Sequence, residues 1–351
     1  MKNLIRKEVQ QIKGYHLTRY ACQVKLNQNE SPYDLPPALK EKALARLKDL
    51  SWNRYPTPHG EVLCKLIAER EGLSEESVLV SGGSNILIQA IVAASSIRGK
   101  ILTVTPSFSL YELEGVLFNN RVVCVPLKKD DFSFPRDVFL KRLKKEKPNI
   151  VFLANPNAPT GNLFSEEDLL AVLETAKGLV VVDEAYYPFS QFTLSAHLKK
   201  YPHLVLLRTL SKAFSLGGVR LGYLLADPKI ASEIQKIILP FSVGVLSQAV
   251  GETVLEDSSY VAPLVQKIIL EREKLFAALK RLSGLKVYPS QTNFILFQSP
   301  QSKEIFEGLL EAGILIRDVS TKNLPKALRV TVGTPEENGQ FLRAMQGLVS
   351  S

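Results

Sequence analysis

Lys212 stands between an apolar run, Leu204 to Leu207, and a glycine-rich turn, within Thr209-Leu210-Ser211-Lys212-Ala213-Phe214. A hydroxyl precedes it directly, and Gly217-Gly218-Val219-Arg220 places an arginine eight residues downstream. Upstream, Val180-Val181-Val182-Asp183-Glu184-Ala185-Tyr186 sets a carboxylate directly after three valines. Each residue type suits one task. A lysine amine can capture an aldehyde, a carboxylate can keep a ring nitrogen protonated, and a hydroxyl beside an arginine can cradle an anion. The ordered set is what pyridoxal-phosphate chemistry requires.

Such residues need a rigid scaffold, and the middle of the chain supplies its signals. Short apolar strands are expected at Val78 to Ser81, Ile101 to Thr105, Val122 to Pro126, Ile150 to Ala154, Val180 to Val182 and Leu204 to Leu207. Helices are expected between them, at Asn85 to Ser95 and Ser109 to Phe118, and from the capping box Ser165-Glu166-Glu167-Asp168 through Lys177. Buried β-branched strands alternating with helices predict an α/β fold with a mostly parallel sheet covered on both faces. Ligands of such sheets bind beyond the carboxyl ends of strands. Asn155, Asp183 and Lys212 all fall there.

The rhythm changes near residue 245. A long helix is expected from Tyr260 to Leu282, then short strands (Val287 to Pro289, Phe294 to Phe297), a helix from Lys303 to Ala312, two strands and a closing helix. This predicts a large domain over 31–245 and a smaller α+β domain over 246–351. Residues 1–30 hold no complete unit and are expected to pack on the small domain or on a partner subunit.

Bulk properties exclude several classes. A 45% hydrophobic and 23% charged composition is that of an ordinary globular protein. The net charge of +9 reads as a lysine-rich surface with an attraction for anionic substrates. Nucleic-acid binding is not expected, because no basic stripe interleaved with aromatics occurs. Cys22, Cys64 and Cys124 are far apart and odd in number, so neither a disulfide framework nor a metal clip is expected. His16, His59, His197 and His203 show no ligand spacing, and no metal is expected. The charged N-terminus and the lack of long apolar runs predict no membrane association and a cytoplasmic location.

The chain resembles the fold-type-I, class I/II aminotransferases, and within them the histidinol-phosphate aminotransferase family. The likeness runs nearly end to end. It is carried by Leu26-Asn27-Gln28-Asn29-Glu30, Asn53-Arg54-Tyr55-Pro56, Pro106 to Tyr111, Asn155-Pro156-Asn157-Ala158-Pro159-Thr160-Gly161, Asp183 to Tyr186, Arg208 to Phe214 and Leu328 to Thr334. It implies pyridoxal 5'-phosphate as cofactor and transamination of L-histidinol phosphate with 2-oxoglutarate, a step of histidine biosynthesis. An aromatic-amino-acid transaminase and a phosphothreonine decarboxylase on the same fold stay open as alternatives. So does a non-catalytic binding protein, against which the intact Lys212 and Asp183 speak.

The resemblance implies Lys212, Asp183 and Tyr186 as the catalytic set, with Tyr186 donating to the cofactor's phenolic oxygen. Gly83, Ser84, Asn85, Thr209, Ser211 and Arg220 form the phosphate cup, and Tyr111 stacks on the ring. The family usually has Asn directly before Pro-Thr-Gly. Here that position is Ala158, and Asn157 is the nearest substitute. The usual Gly-small-Asp-Glu is Gly83-Ser84-Asn85-Ile86, a change that main-chain donors at a helix start can absorb. On the substrate side stand Arg329 and Arg317, each in an apolar run where an unpaired charge is costly, with Tyr15, Asn29 and Asn293 assisting. Tyr55 is expected to reach the cofactor phosphate of a neighbouring subunit, which makes the protein a homodimer with shared active sites.

Overall fold

The computed structural model describes residues 4–12 and 20–349. Its strands are β1 (Val24–Lys25), β2 (Val78–Ser81), β3 (Lys100–Thr105), β4 (Arg121–Pro126), β5 (Ile150–Ala154), β6 (Leu179–Asp183), β7 (Leu204–Thr209), β8 (Gly222–Ala226), β9 (Lys286–Val287), β10 (Phe294–Gln298), β11 (Ile314–Leu315), β12 (Arg317–Asp318) and β13 (Ala327–Thr331). Seven of them form one sheet in the order β2-β8-β7-β6-β5-β3-β4. The neighbours from β4 to β7 run parallel. β8 runs antiparallel to both β7 and β2, so the sheet is mixed and mostly parallel.

The central strands are apolar along their whole length because helices cover both faces. Every residue of β5, β7 and β8 is buried. One layer of the core packs Leu87, Ile88 and Ile91 of the helix Ser84–Ser95 against Phe152, Val181, Val205 and Leu207. The opposite layer carries Leu153, Val182, Leu206 and Phe214, and continues into the second sheet through Ile295, Leu296 and Val330. That second sheet has the order β12-β13-β10-β9 and is antiparallel. β1 pairs in parallel with β11, which ties residues 24–25 to the C-terminal half.

Expected and observed helices agree closely. Ser165 caps Glu166–Thr175 by accepting from the Asp168 N–H, and the long helix is Val261–Leu279. No helix among the described residues is long and apolar enough to cross a membrane.

Candidate active site

The carboxyl ends of β6 and β7 meet at one point of the large sheet. Register places Asp183, the last residue of β6, beside Leu207 of β7 and Ala154 of β5. β7 ends at Thr209, so Lys212 follows in the first turn beyond it. The valines of β6 are fully buried, and they carry Asp183 to the mouth of the sheet while leaving it only 6% exposed. Burial pushes its carboxyl up to about 6, against two hydrogen bonds that favour the charge. Tyr111 Oη donates to Asp183 Oδ2 at 2.8 Å, and the Ala185 N–H donates to Oδ1 at 3.1 Å. Among the described residues Asp183 has no ion pair.

Lys212 Nζ donates to the Gln28 carbonyl at 2.8 Å. Loss of hydration lowers its pKa to about 7, and the positive charges of Arg329, Arg220 and Lys25 act in the same direction while Glu30 opposes them. An amine poised near neutrality can act as a nucleophile and as a proton carrier, which an ordinary lysine cannot.

Tyr186 lies on the third side. Its hydroxyl accepts from Asn29 Nδ2 at 2.8 Å, which leaves its own proton available to donate. The ring sits edge-on to Phe294 at 5.2 Å, and the Arg329 guanidinium lies 5.0 Å from the same Phe294 ring. Arg329 Nη2 donates to the Asn27 carbonyl at 3.1 Å. Arg317 on β12 is directly opposite Arg329 on β13. Like charges facing across an antiparallel pair repel, and Arg317 has no ion pair among the described residues. Two guanidinium groups in this register could share one anion.

A second candidate anion site is the start of the helix Ser84–Ser95. Gly83 precedes it with φ of 107°, and the first N–H groups of a helix lack intrahelical partners. A Cβ on Gly83 would lie 2.6 Å from Arg220 Nη2 and would push the arginine's tip aside, and the positive φ strains any side chain there. Arg220 has a left-handed backbone, with φ of 60°, and its Nη1 donates to Ser211 Oγ at 3.1 Å. Gly83, Ser84, Asn85, Ser211 and Arg220 are thus brought together. The Asn85 side chain is exposed, so its contribution is the main-chain N–H. Thr209 Oγ1 accepts from the Ser211 N–H at 3.1 Å and donates to Leu221 O at 3.3 Å, and so shapes the loop that carries Ser211.

Three sequence expectations need correction, those for Tyr111, Asn157 and Asn29. Tyr111 has no open face for stacking, since it is fully buried and its ring lies parallel to Phe152 at 4.8 Å. The half-buried aromatic at this place is Phe108, edge-on to Tyr111 at 5.6 Å. Asn157 offers no amide outward: Nδ2 donates to Pro106 O and Thr160 Oγ1, and Oδ1 accepts from Ser107 Oγ. Asn29 spends its side chain on Tyr186 and Thr331. Asn293 is fully buried and donates to the Asn29 carbonyl at 3.1 Å. The Asn29 side chain is thus committed within the protein, whereas Asn293 Oδ1 makes no hydrogen bond among the described residues. Tyr15 lies outside the described residues. Tyr55 is 84% exposed, against Phe241 at 4.8 Å between ring centres.

Sequence reading missed a charge network beneath the site. Arg208 is buried, bonded through Nε to Glu184 Oε2 at 2.9 Å and through Nη1 to Glu71 at 2.6 Å, with Tyr187 stacked 4.0 Å away. It locks the residue that follows Asp183 to β7. An arginine ending an apolar strand was the available signal.

Comparison with known proteins fits this geometry. Residues 21–345 match the model of the family described as aminotransferase class I and II. The histidinol-phosphate aminotransferase of Deinococcus radiodurans is 38% identical over 98% of this chain and 96% of its own length. That of Caldanaerobacter subterraneus is 34% identical over 100% of both. Among solved structures, the histidinol-phosphate aminotransferase of Sinorhizobium meliloti, in complex with pyridoxal-5'-phosphate, shares the fold with a TM-score of 0.90 at 23% identity, covering 99% of this chain and 98% of that one. The L-threonine-O-3-phosphate decarboxylase of Porphyromonas gingivalis shares it with a TM-score of 0.81 at 23% identity, over 93% of this chain and 100% of that one. The chain therefore belongs to the class I and II aminotransferases and, within them, to the histidinol-phosphate aminotransferase family.

Proposed function

We propose that the protein transfers the amino group of L-histidinol phosphate to 2-oxoglutarate with pyridoxal 5'-phosphate as cofactor. The fit of the cofactor rests on this chain's own residues. Asp183 is a buried carboxylate whose pKa lies near 6 and which lacks a cation, and a protonated pyridine nitrogen supplies one. The Gly83–Arg220 contact leaves a cup of main-chain N–H groups and a guanidinium for the phosphate. Lys212 is the amine for the aldehyde. When bound, the cofactor supplies an electron sink for the carbon from which the proton is lost.

The residues then divide the work. Asp183 would hold the positive charge of the ring nitrogen, and Tyr111 fixes the orientation of its carboxylate. Tyr186 would donate to the phenolic oxygen, and Phe108 would cover a ring face in place of Tyr111. Lys212, about half neutral at pH 7, would take the proton from the substrate α-carbon. Arg329 and Arg317 grip the substrate phosphate in one half-reaction and a carboxylate of glutamate in the other, since a guanidinium pairs with either.

The observation that carries the substrate is the facing pair Arg317 and Arg329 on the Lys212 side of the second sheet. In the same reading, residues 31–245 bind the cofactor and 246–351 form the smaller domain. Two chains form the working unit, and the enzyme operates in the cytoplasm.

A comparison of amino donors tests the proposal. Histidinol phosphate should exceed histidinol in kcat/KM by on the order of a hundredfold, because the bare alcohol lacks the anion that pairs bidentately with guanidinium. Equal rates with histidinol, faster turnover of phenylalanine or tyrosine, or carbon dioxide release from O-phosphothreonine would each replace this assignment.

A further inference from the structure

Four consecutive main-chain carbonyls, from Leu26 to Asn29, each accept from a different functional element. Leu26 O takes the Thr331 N–H at 2.9 Å. Asn27 O takes Arg329 Nη2 at 3.1 Å. Gln28 O takes Lys212 Nζ at 2.8 Å. Asn29 O takes Asn293 Nδ2 at 3.1 Å. The reactive amine and the anion fork therefore hang from adjacent carbonyls of one short segment.

Asn29 fixes that segment. Its φ of 54° is left-handed, a conformation that asparagine and glycine tolerate and alanine resists. Its N–H donates to Thr331 Oγ1 at 2.9 Å, its Oδ1 accepts from the same hydroxyl at 3.2 Å, and its Nδ2 reaches Tyr186. The residue is 2% exposed, so these bonds are shielded from water. Turning the backbone at Asn29 decides where the preceding peptide, and so the Gln28 carbonyl, points.

We propose that Asn29 is a positioning residue for Lys212: its left-handed turn aims the Gln28 carbonyl to hold the lysine amine whenever that amine is free, at a fixed spacing from Arg329. A neutral acceptor suits this task. A carbonyl orients the amine without favouring its ammonium form as strongly as a carboxylate does. The charged groups acting on the amine are Arg329 from β13, Lys25 and Glu30 from the segment itself, and Arg220 from the loop beyond β7. The inference rests on the reading of Lys212 as the reactive amine.

The test uses cofactor-free full-length protein, so it does not depend on the substrate assignment. Acetic anhydride labelling of Lys212, followed by peptide mass spectrometry across pH, gives the midpoint of its ionisation. The wild type should titrate near the low value that burial imposes. Asn29→Gly preserves the turn and should keep that midpoint. Asn29→Ala strains it, and the released lysine, regaining hydration, should titrate about one to two units higher. Asn29→Asp keeps shape and turn but adds a carboxylate, and should also titrate higher. If alanine unfolds the protein, glycine and aspartate still decide: a glycine midpoint displaced toward that of an ordinary lysine overturns the role of the turn. An alanine variant that folds with an unmoved midpoint overturns it as well. In the cofactor-loaded enzyme, Asn29→Ala should lower kcat at least tenfold with KM for the donor little changed, and a loss confined to KM would contradict the proposal. Normal midpoints in a protein that does not use histidinol phosphate would sink the substrate reading and leave this one standing.

Discussion

Asp183 and Lys212 stand at the carboxyl ends of the adjacent parallel strands β6 and β7 with pKa values displaced in opposite directions, and burial is the largest cause for both. Among the described residues the carboxylate has no ion-pair partner, and burial makes the amine easier to deprotonate. Asp183→Asn keeps the size and removes the counter-charge for the ring nitrogen. Turnover should fall by about two to four decades, the range for losing a well-placed proton-transfer or charge partner. Near-normal rates would reduce Asp183 to a structural residue. A second prediction concerns the cofactor-free protein. The folded pKa of Lys212 is below its unfolded value, so below about 7 its charge weighs fully on the folded state. That cost fades as pH rises from about 7 toward the ordinary lysine pKa, where both states become neutral. Lys212→Met should therefore melt higher than wild type at pH 6 to 7, and the two curves should converge by about pH 10. A gap that stays constant with pH would mean that the lysine is hydrated in the folded chain.

At the scale of elements, the phosphate cup depends on how closely β8 approaches the helix Ser84–Ser95. A Cβ at Gly222 would fall 2.2 Å from the Ser84 nitrogen and 2.7 Å from the Gly83 carbonyl carbon. Both are backbone atoms, which cannot swing away as a side chain can. Gly222→Ala should push the helix start out of register with Arg220. Overpacking of about 1–3 kcal/mol corresponds to roughly a ten- to hundredfold weaker cofactor Kd, measurable by fluorescence titration. Unchanged affinity would show that the cup does not rely on this contact. The same elements show what the sequence could reveal. The valine run of β6 and the apolar run of β7 were readable, because strands buried on both faces need no alternation. β8 was not read: Gly-Tyr-Leu-Leu-Ala is short and gives no period that separates strand from helix. Tyr111 shows a different failure. The helix Leu110–Leu117 buries Tyr111, Glu114 and Gly115, a three-and-four spacing that marks the inner face. Resemblance assigned the stacking to that tyrosine, whereas periodicity pointed to the core. The bonds from residues 26–29 to Arg329, Lys212 and Asn293 join positions remote in the chain, and no local pattern encodes them.

For the whole molecule, an apolar surface remains exposed beside the cup. Tyr55 is 84% exposed, Leu239 76%, Phe241 41% and Ile86 40%. Tyr55 and Phe241 are in ring contact, and Gly82 lies between Ile86 and the Ser242 carbonyl, so these side chains occupy one region at the helix start. A large tyrosine held in water has little reason to be there unless a second surface covers it. The proposed homodimer supplies that surface and gives Tyr55 a target, the phosphate cup of the partner. The arrangement has a measurable consequence. In a two-fold dimer, one site takes Lys212 from the first chain and Tyr55 from the second, and the other site reverses the roles. Tyr55→Phe weakens every site of its own homodimer, and Lys212→Ala silences every site of its own. In a hybrid of the two, one site carries both defects and the other carries neither. Random mixing makes half of the dimers hybrids, so recovered activity should approach about a quarter of the wild-type level per chain. Chains unfolded and refolded together should reach this level, and homodimers refolded separately and assayed at once after mixing should give less, because few chains have then exchanged. An active monomer in sedimentation at assay concentration, or mixtures no more active than the average of their parents, would mean that each chain completes its own site and that Tyr55 serves another purpose.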